Sequence, residues 1–281
     1  MAGQPEITNL ALFCDFENIA LGVRDANYAQ FDILRVLERL LLKGSIVVKK
    51  AYCDWERFKE FKKTMHEASF ELIEIPHLRQ SGKNSADIRM VVDALDLCYT
   101  KSHVDAFVII SGDSDFSPLV SKLRENNKYV IGIGVRSSTS DLLAANCDEF
   151  IFYDDLVQAQ KRKRRAPEKK APRAASAAES KASSAKREEE KPQEGAAQQE
   201  GLDLMMETIE ALLVERGEEE KLWGSMVKQT MKRRRPGFTE TAYGYRSFRE
   251  MLEDAQKHHL LQIQRDEKSG QYMVRLPVTD E

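Results

Sequence analysis

Apolar residues fall into short unbroken runs through the first half of the chain, and most runs are followed by a stretch in which apolar positions recur at helical spacing. Runs rich in β-branched and aromatic residues read as strands at 8–14, 45–53, 70–77, 104–110, 128–135 and 149–153. Helical patterns separate them, at 31–43, 56–69, 85–101 and 116–127. Regular alternation of this kind predicts an α/β fold with a doubly wound parallel sheet covered by helices on both faces. Within 85–101, Ile88, Val91, Val92, Leu95 and Cys98 mark the face expected to be buried. Asp87 lies one turn ahead of Val91 and should share that face, while Asp93 should point to solvent.

The pattern changes near residue 158. From there to 200 the chain is rich in Ala, Lys, Arg, Glu, Gln and Ser, has no aromatic residue, and contains Pro167, Pro172 and Pro192. Such a stretch has too little apolar surface to order itself, so it reads as a flexible linker whose Ala, Lys and Glu favour local helix. Periodicity returns with Leu204, Thr208, Ala211 and Leu212 and stops at Gly217. Two more helical patterns follow at 223–232 and 245–258, and LLQIQR, DEKSG and QYMVRL read as a hairpin. Three helices and a hairpin predict a small winged-helix domain at 201–277, beside a first domain at 1–157 and a linker at 158–200. No repeat of fixed period is visible.

Length and composition fit two domains, each with its own core. The first twenty residues carry no basic segment and only a short apolar run, so neither a secretory leader nor a membrane span is expected, and a cytoplasmic location is. Cys14, Cys53, Cys98 and Cys147 are scattered and form no zinc-ligand spacing. The formal net charge of −3 conceals a basic run at 161–173 worth +7, which leaves −10 for the remainder. An acidic body with a basic segment suits metal ions in one place and polyanions in another.

The acids of the first domain sit where open α/β sheets build sites, beyond the carboxyl ends of strands. Asp15 follows NLALFC, and Asp113 and Asp115 follow AFVIIS, with Gly112 giving the backbone room to turn. Asp87 begins the helix expected to cover that edge, and Glu17 and Asn18 lie just beyond Asp15. Each acid also has a plainer role as a helix cap, Asp87, Asp115 and Asp141 above all. Gathered carboxylates repel and raise one another's pKa, so a cluster of them implies a compensating cation. Oxygen donors without Cys or clustered His select Mg²⁺ or Mn²⁺ as cofactor, ions that assist hydrolysis of phosphodiesters.

The segments LALFCDFENI, KNSADIRMVVDAL, VIISGDSDFSPLVSKLRENNKYVIGIG and NCDEFI resemble the NYN branch of the PIN-like nuclease superfamily over residues 8–155. The resemblance implies a metal site at Asp15, Asp87, Asp113 and Asp115, with Asn18 belonging to it and Glu17 outside its core. Residues 202–276, through YGYRSFREML above all, resemble the OST-HTH or LOTUS winged helix. Together the two resemblances imply a metal-dependent ribonuclease acting on RNA, expected to be single-stranded, with the winged helix taking RNA or a protein partner. The alternative is an RNA-binding adaptor whose PIN-like domain is catalytically idle.

Lys83, Arg89 and Arg136, with Arg79, are the cations expected to flank the carboxylates and meet phosphates. In the second module Arg246 and Arg249 join Lys228, Lys232, Arg233, Arg234 and Arg235, with Tyr243, Tyr245 and Phe248 among them as candidate base-stacking rings. Phe248 and Trp223 also read as packing residues. A haloacid-dehalogenase-like phosphatase would need a Thr or Val after the Asp15 and Glu17 pair, where Asn18 stands. A receiver domain would need paired acids after the first strand and a late Lys, and a dinucleotide enzyme a G-x-G-x-x-G after that strand. None of these patterns is met. Which RNA is taken, the mode of cleavage and the oligomeric state stay open at this level.

Overall fold

The computed structural model describes residues 7–75, 85–165, 191–217, 221–266 and 270–277. It divides into two compact units, Met1–Pro167 and Glu168–Glu281.

The first unit carries six strands, β1 (Asn9–Asp15), β2 (Ser45–Cys53), β3 (Glu71–Glu74), β4 (Ala106–Ile110), β5 (Tyr129–Gly134) and β6 (Glu149–Phe152). All pair in parallel, in the order β3-β2-β1-β4-β5-β6. The central strands are almost entirely apolar, and every residue of β4 is buried, as a parallel sheet covered on both faces requires. Side-chain alternation divides the core in two. Leu10, Leu12, Cys14, Val108 and Ile110 pack with α1 (Phe16–Asp25), α2 (Ile33–Leu41), α3 (Lys59–Glu67) and α7 (Tyr153–Arg165). Ala11, Phe13, Phe107 and Ile109 pack with α4 (Ser85–Thr100), α5 (Ser117–Glu125) and α6 (Asp141–Asn146). The chain winds outward from β1 to β3, returns through α4 to β4, and winds outward the other way. Strand order therefore reverses between β1 and β4, the position where doubly wound sheets open a crevice.

Helix α4 presents a different face from the one its sequence predicts. Met90, Ala94 and Cys98 are buried against the sheet, while Ile88 and Val92 are 63% and 56% exposed. Asp93, expected in solvent, turns inward with its side chain only 12% exposed. There it accepts from the Tyr52 hydroxyl at 2.9 Å and pairs with Lys50 and Arg89. The sheet offers these partners from β2, so an inward Asp is satisfied and holds α4 to the strand.

Helix α7 continues to Arg165 and so enters the stretch read as linker, because nothing breaks it before Pro167. At the other end of that stretch α8 (Lys191–Arg216) begins ten residues before the expected domain start. Its Ala, Gln and Glu residues favour helix, which lets it extend beyond the part that has a core to bury against.

In the second unit α8 is followed by β7 (Leu222–Trp223), α9 (Gly224–Arg234), a 3-10 turn at Glu240–Tyr243, α10 (Phe248–Lys257), β8 (Gln262–Arg265) and β9 (Tyr272–Arg275). The strands form an antiparallel sheet in the order β7-β9-β8. Met205, Ile209, Leu212, Val227, Met231, Met251, Leu252 and Val274 build the core beneath it. The buried stripe of α8 runs through Met205 and Ile209 beside Thr208 and Leu212, and Ala211 lies at its margin. Helix α10 starts later than its pattern suggests because Ser247 accepts from the Glu250 amide while Glu250 accepts from the Arg246 amide, a reciprocal cap. Among the described residues no helix is long and apolar enough to cross a membrane.

Candidate active site

Alternation along two strands places the first polar groups. Asp15 ends β1 and continues the set Ala11 and Phe13, which faces α4 and α5. Ser111 follows β4 and continues the set Phe107 and Ile109. Cys14 pairs in register with Ile110, so Asp15 and Ser111 meet just beyond the carboxyl edge. The Ser111 hydroxyl donates to Asp15 Oδ2 at 3.1 Å and accepts from the Asp113 amide at 3.2 Å. Asn18 Oδ1 accepts from the Gly112 amide at 2.9 Å, and Asp15 Oδ1 accepts from the Asn18 amide at 3.3 Å. The start of α1 and the loop after β4 are thus held to each other through Asp15, Asn18 and Ser111.

Gly112 is required by a close approach, and its backbone is not in the left-handed region. A Cβ there would run into the Ser138 carbonyl and crowd the Thr139 Cα at 3.0 Å, while the Ser140 amide donates to the Gly112 carbonyl at 2.9 Å. The loop after β5 therefore closes one side of the crevice by packing on the loop after β4.

Helix α4 brings Asp87 to the same edge from above, half-buried in its first turn. Burial, then the charges of Asp113, Asp115 and Glu17, pushes the Asp87 carboxyl up to about 6. Burial, then the charge of Asp87, pushes Asp15 up to about 7 against the opposing hydrogen bonds from Asn18 and Ser111. Asp113 is partly buried, and its Oδ1 accepts from the Asp115 amide at 3.0 Å; Asp115 is exposed. The four acids predicted from the sequence thus lie at one edge, where the charges of the others bear on Asp15 and Asp87. Two of them also cap: Asp15 caps α1 and Asp113 caps the 3-10 turn at Ser114–Phe116. Asp141 caps nothing, since the Ser140 hydroxyl caps α6.

The donor set consists of carboxylate, amide and hydroxyl oxygens. Cys14 lies beside Asp15 in sequence but packs in the opposite core, where burial pushes its thiol well above the ordinary value and keeps it from acting as a thiolate ligand. This chemistry fits a hard divalent cation. Among the described residues no three His, Cys, Asp or Glu side chains converge closely enough to hold one ion together.

The cations expected around the acids fare differently. Lys83, like Arg79, lies outside the described residues. Arg89 pairs with Asp93 at 3.1 Å. Arg136 pairs with Asp155 at 3.0 Å and stacks 3.9 Å above the Phe152 ring, which ties it to the start of α7. A cation that the sequence reading missed is Arg57, whose Nη1 donates to Glu17 Oε1 at 2.8 Å. It sits in the connection after β2, at the same carboxyl edge. That placement was the signal available in the sequence.

In the second unit several candidates are committed internally. Lys228 pairs with Glu240 at 2.6 Å, Arg234 with Glu207 at 2.8 Å, and Arg249 with Glu253 at 2.7 Å. Phe248 is core, and Tyr245 is buried with its hydroxyl donating to Asp254 at 2.8 Å, so neither is placed to stack on a base. Tyr243 is partly buried and stacked on Phe238 at 5.6 Å. Lys232, Arg235 and Arg246 are exposed.

Comparison with known proteins bears on the first unit. The model of the NYN domain family matches residues 9–154. An uncharacterised protein of Methanocaldococcus jannaschii is 26% identical over 132 residues, 47% of this chain and 52% of that protein, so the chain spans about half the length of this curated relative. A crystal structure of a protein of unknown function from Vibrio parahaemolyticus is 26% identical, with a TM-score of 0.48 over 55% of this chain and 98% of that one.

Proposed function

The chain belongs to the NYN domain family, which is generally associated with nuclease activity, and from that premise we propose that it is a metal-dependent ribonuclease. The observation that carries this reading is the pair of raised carboxylates, Asp15 and Asp87, at the edge where Asp113 and Asp115 also lie. Uncompensated negative charge built into a crevice favours a cation. Asp15, Asp87 and Asp113 line the edge that would take Mg²⁺ or Mn²⁺, held in part through the ion's own waters, with Asp115 at the exposed side. When bound, the ion would supply Lewis-acid stabilisation of charge on a phosphodiester and a more acidic water.

The chain's own residues supply the rest. Ser111 and the Asn18 amide fix the Asp15 carboxylate from two sides. Asn18 uses its side-chain oxygen on Gly112, so what it still offers is donation through Nδ2, suited to a water or a phosphate oxygen. Arg57, held by Glu17 at the rim, can neutralise a flanking phosphate. We assign the second unit, as an OST-HTH or LOTUS-like winged helix, to RNA binding through Lys232, Arg235 and Arg246, with residues between the units as a tether.

The test is incubation of the purified chain with labelled single-stranded RNA in Mn²⁺, Mg²⁺ or EDTA, beside Asp113→Asn. Cleavage that needs metal and falls by at least about a hundredfold in the variant is expected. One observation favours a second reading: no three carboxylates converge on a shared ion among the described residues. That reading is an RNA-binding adaptor without turnover, and RNA binding with no cleavage in either metal would establish it.

A further inference from the structure

The outward side of α4 is apolar. Ile88, Val92 and Tyr99 are 63%, 56% and 64% exposed, three of the seven large hydrophobic residues exposed among those described. Their spacings of four and seven residues put them on one side of the helix, over about 17 Å of its length. Partly buried Val91 and Leu95 continue the stripe toward the core. The opposite side, through Met90, Ala94 and Cys98, is committed to the sheet. A helix apolar on both sides is one that is covered on both sides.

The charges along the stripe say what covers it. Arg89 and Asp96 are exposed and border it on the same flank, seven residues apart. Their midpoint falls between Val92 and Asp93, beside the central apolar residue. A two-fold axis there, with α4 crossing α4 of a second molecule antiparallel, sets Arg89 against Asp96 of the second copy and Asp96 against its Arg89. Tyr99 then packs beside Ile88 of the second copy, and Val92 meets its own equivalent. A self-complementary patch is what an isologous dimer needs, and an unrelated partner would require no such symmetry. Arg89 also pairs with Asp93 of its own helix, but its side chain is 59% exposed and reaches solvent.

We infer that the outer face of α4 is a homodimer interface, with the two-fold axis beside Val92, between it and Asp93. It is independent of the nuclease reading. One helix pair buries a modest area, so the dimer is reversible and concentration-dependent. Asp87 precedes Ile88, so the two candidate sites lie at opposite ends of the shared helix pair.

Sedimentation equilibrium of the full chain up to about 100 µM tests this. The wild type should move toward twice the chain mass as concentration rises. Val92→Glu and Val92→Lys should each stay at the chain mass, since like charges meet at the axis, and an equimolar mixture should regain the doubled mass. Ile88→Glu, away from the axis, should also be monomeric, and unchanged far-ultraviolet circular dichroism shows that these surface variants are folded. A wild type that stays monomeric throughout overturns the proposal. So does a Val92→Glu protein that still dimerises, or a mixture of the two variants that does not reassociate.

Discussion

Asp15 makes the metal-free protein sensitive to pH. Its carboxyl stands near 3.8 in an unfolded chain and about 7 in the folded one. The folded state therefore binds the proton more tightly between those values, and stability must fall as pH rises through that window. Below it both states are protonated, and the loss is absent. Melting in EDTA from about pH 4.5 to pH 8 should show a steady decline in wild type and a shallower one in Asp15→Asn. Some slope should remain because Asp87, at about 6, titrates in the same direction. Millimolar-scale Mn²⁺ should restore the high-pH melting temperature of the wild type far more than that of the variant, since only a native site rewards the ion. Parallel profiles for the two proteins would remove Asp15 from the site. The residues behind this behaviour were only partly legible in the sequence. Asp15, Asp87, Asp113 and Asp115 could be named from strand ends and spacing, but Ser111, which joins two of them, is an unremarkable serine until two strands are set side by side.

The strands were easy to read because the central ones are largely apolar, and β1, β4 and β5 each bury at least five residues in a row. The inward face of α4 was not, because apolar residues ring the helix and hydrophobicity alone cannot choose a side. The choice is made by β2, whose Tyr52 and Lys50 receive Asp93. Likewise β7 has two residues and exists only because β9 pairs with it. Between elements, the loop after β4 and the loop after β5 support each other at Gly112. Gly112→Ala should destabilise the first unit by about 1–3 kcal/mol, since the added methyl meets backbone that no rotamer change can move. The displaced loop carries Asp113, so any RNA cleavage should fall further than the loss of folded protein explains. Denaturant titration and turnover measured on the same samples separate the two effects. A variant with wild-type values of both would show that the two loops do not depend on this approach.

The two units differ in how their charges are placed. The first gathers acids at its crevice, and its described cations near that edge are paired: Arg57 with Glu17, Arg89 with Asp93, Arg136 with Asp155. The second unit exposes Lys232, Arg235 and Arg246. A chain that cleaves with the first unit and grips with the second should therefore lose affinity before turnover when shortened. The cut belongs after residue 165, because Tyr153 and Val157 of α7 are part of the first core and an earlier end would unravel it. Three phosphate contacts on single-stranded RNA change the slope of log affinity against log salt by about 2. Between about 50 and 200 mM salt, the full chain should then lose roughly fifteenfold more affinity than the shortened one. In such a chain the joined units would also keep RNA at a raised local concentration near the crevice without adding any group to it. Shortening should accordingly raise KM much more than it lowers kcat, in a steady-state comparison on one RNA at two salt concentrations. Equal KM values and equal salt slopes would take RNA binding away from the second unit and leave it as a surface for protein.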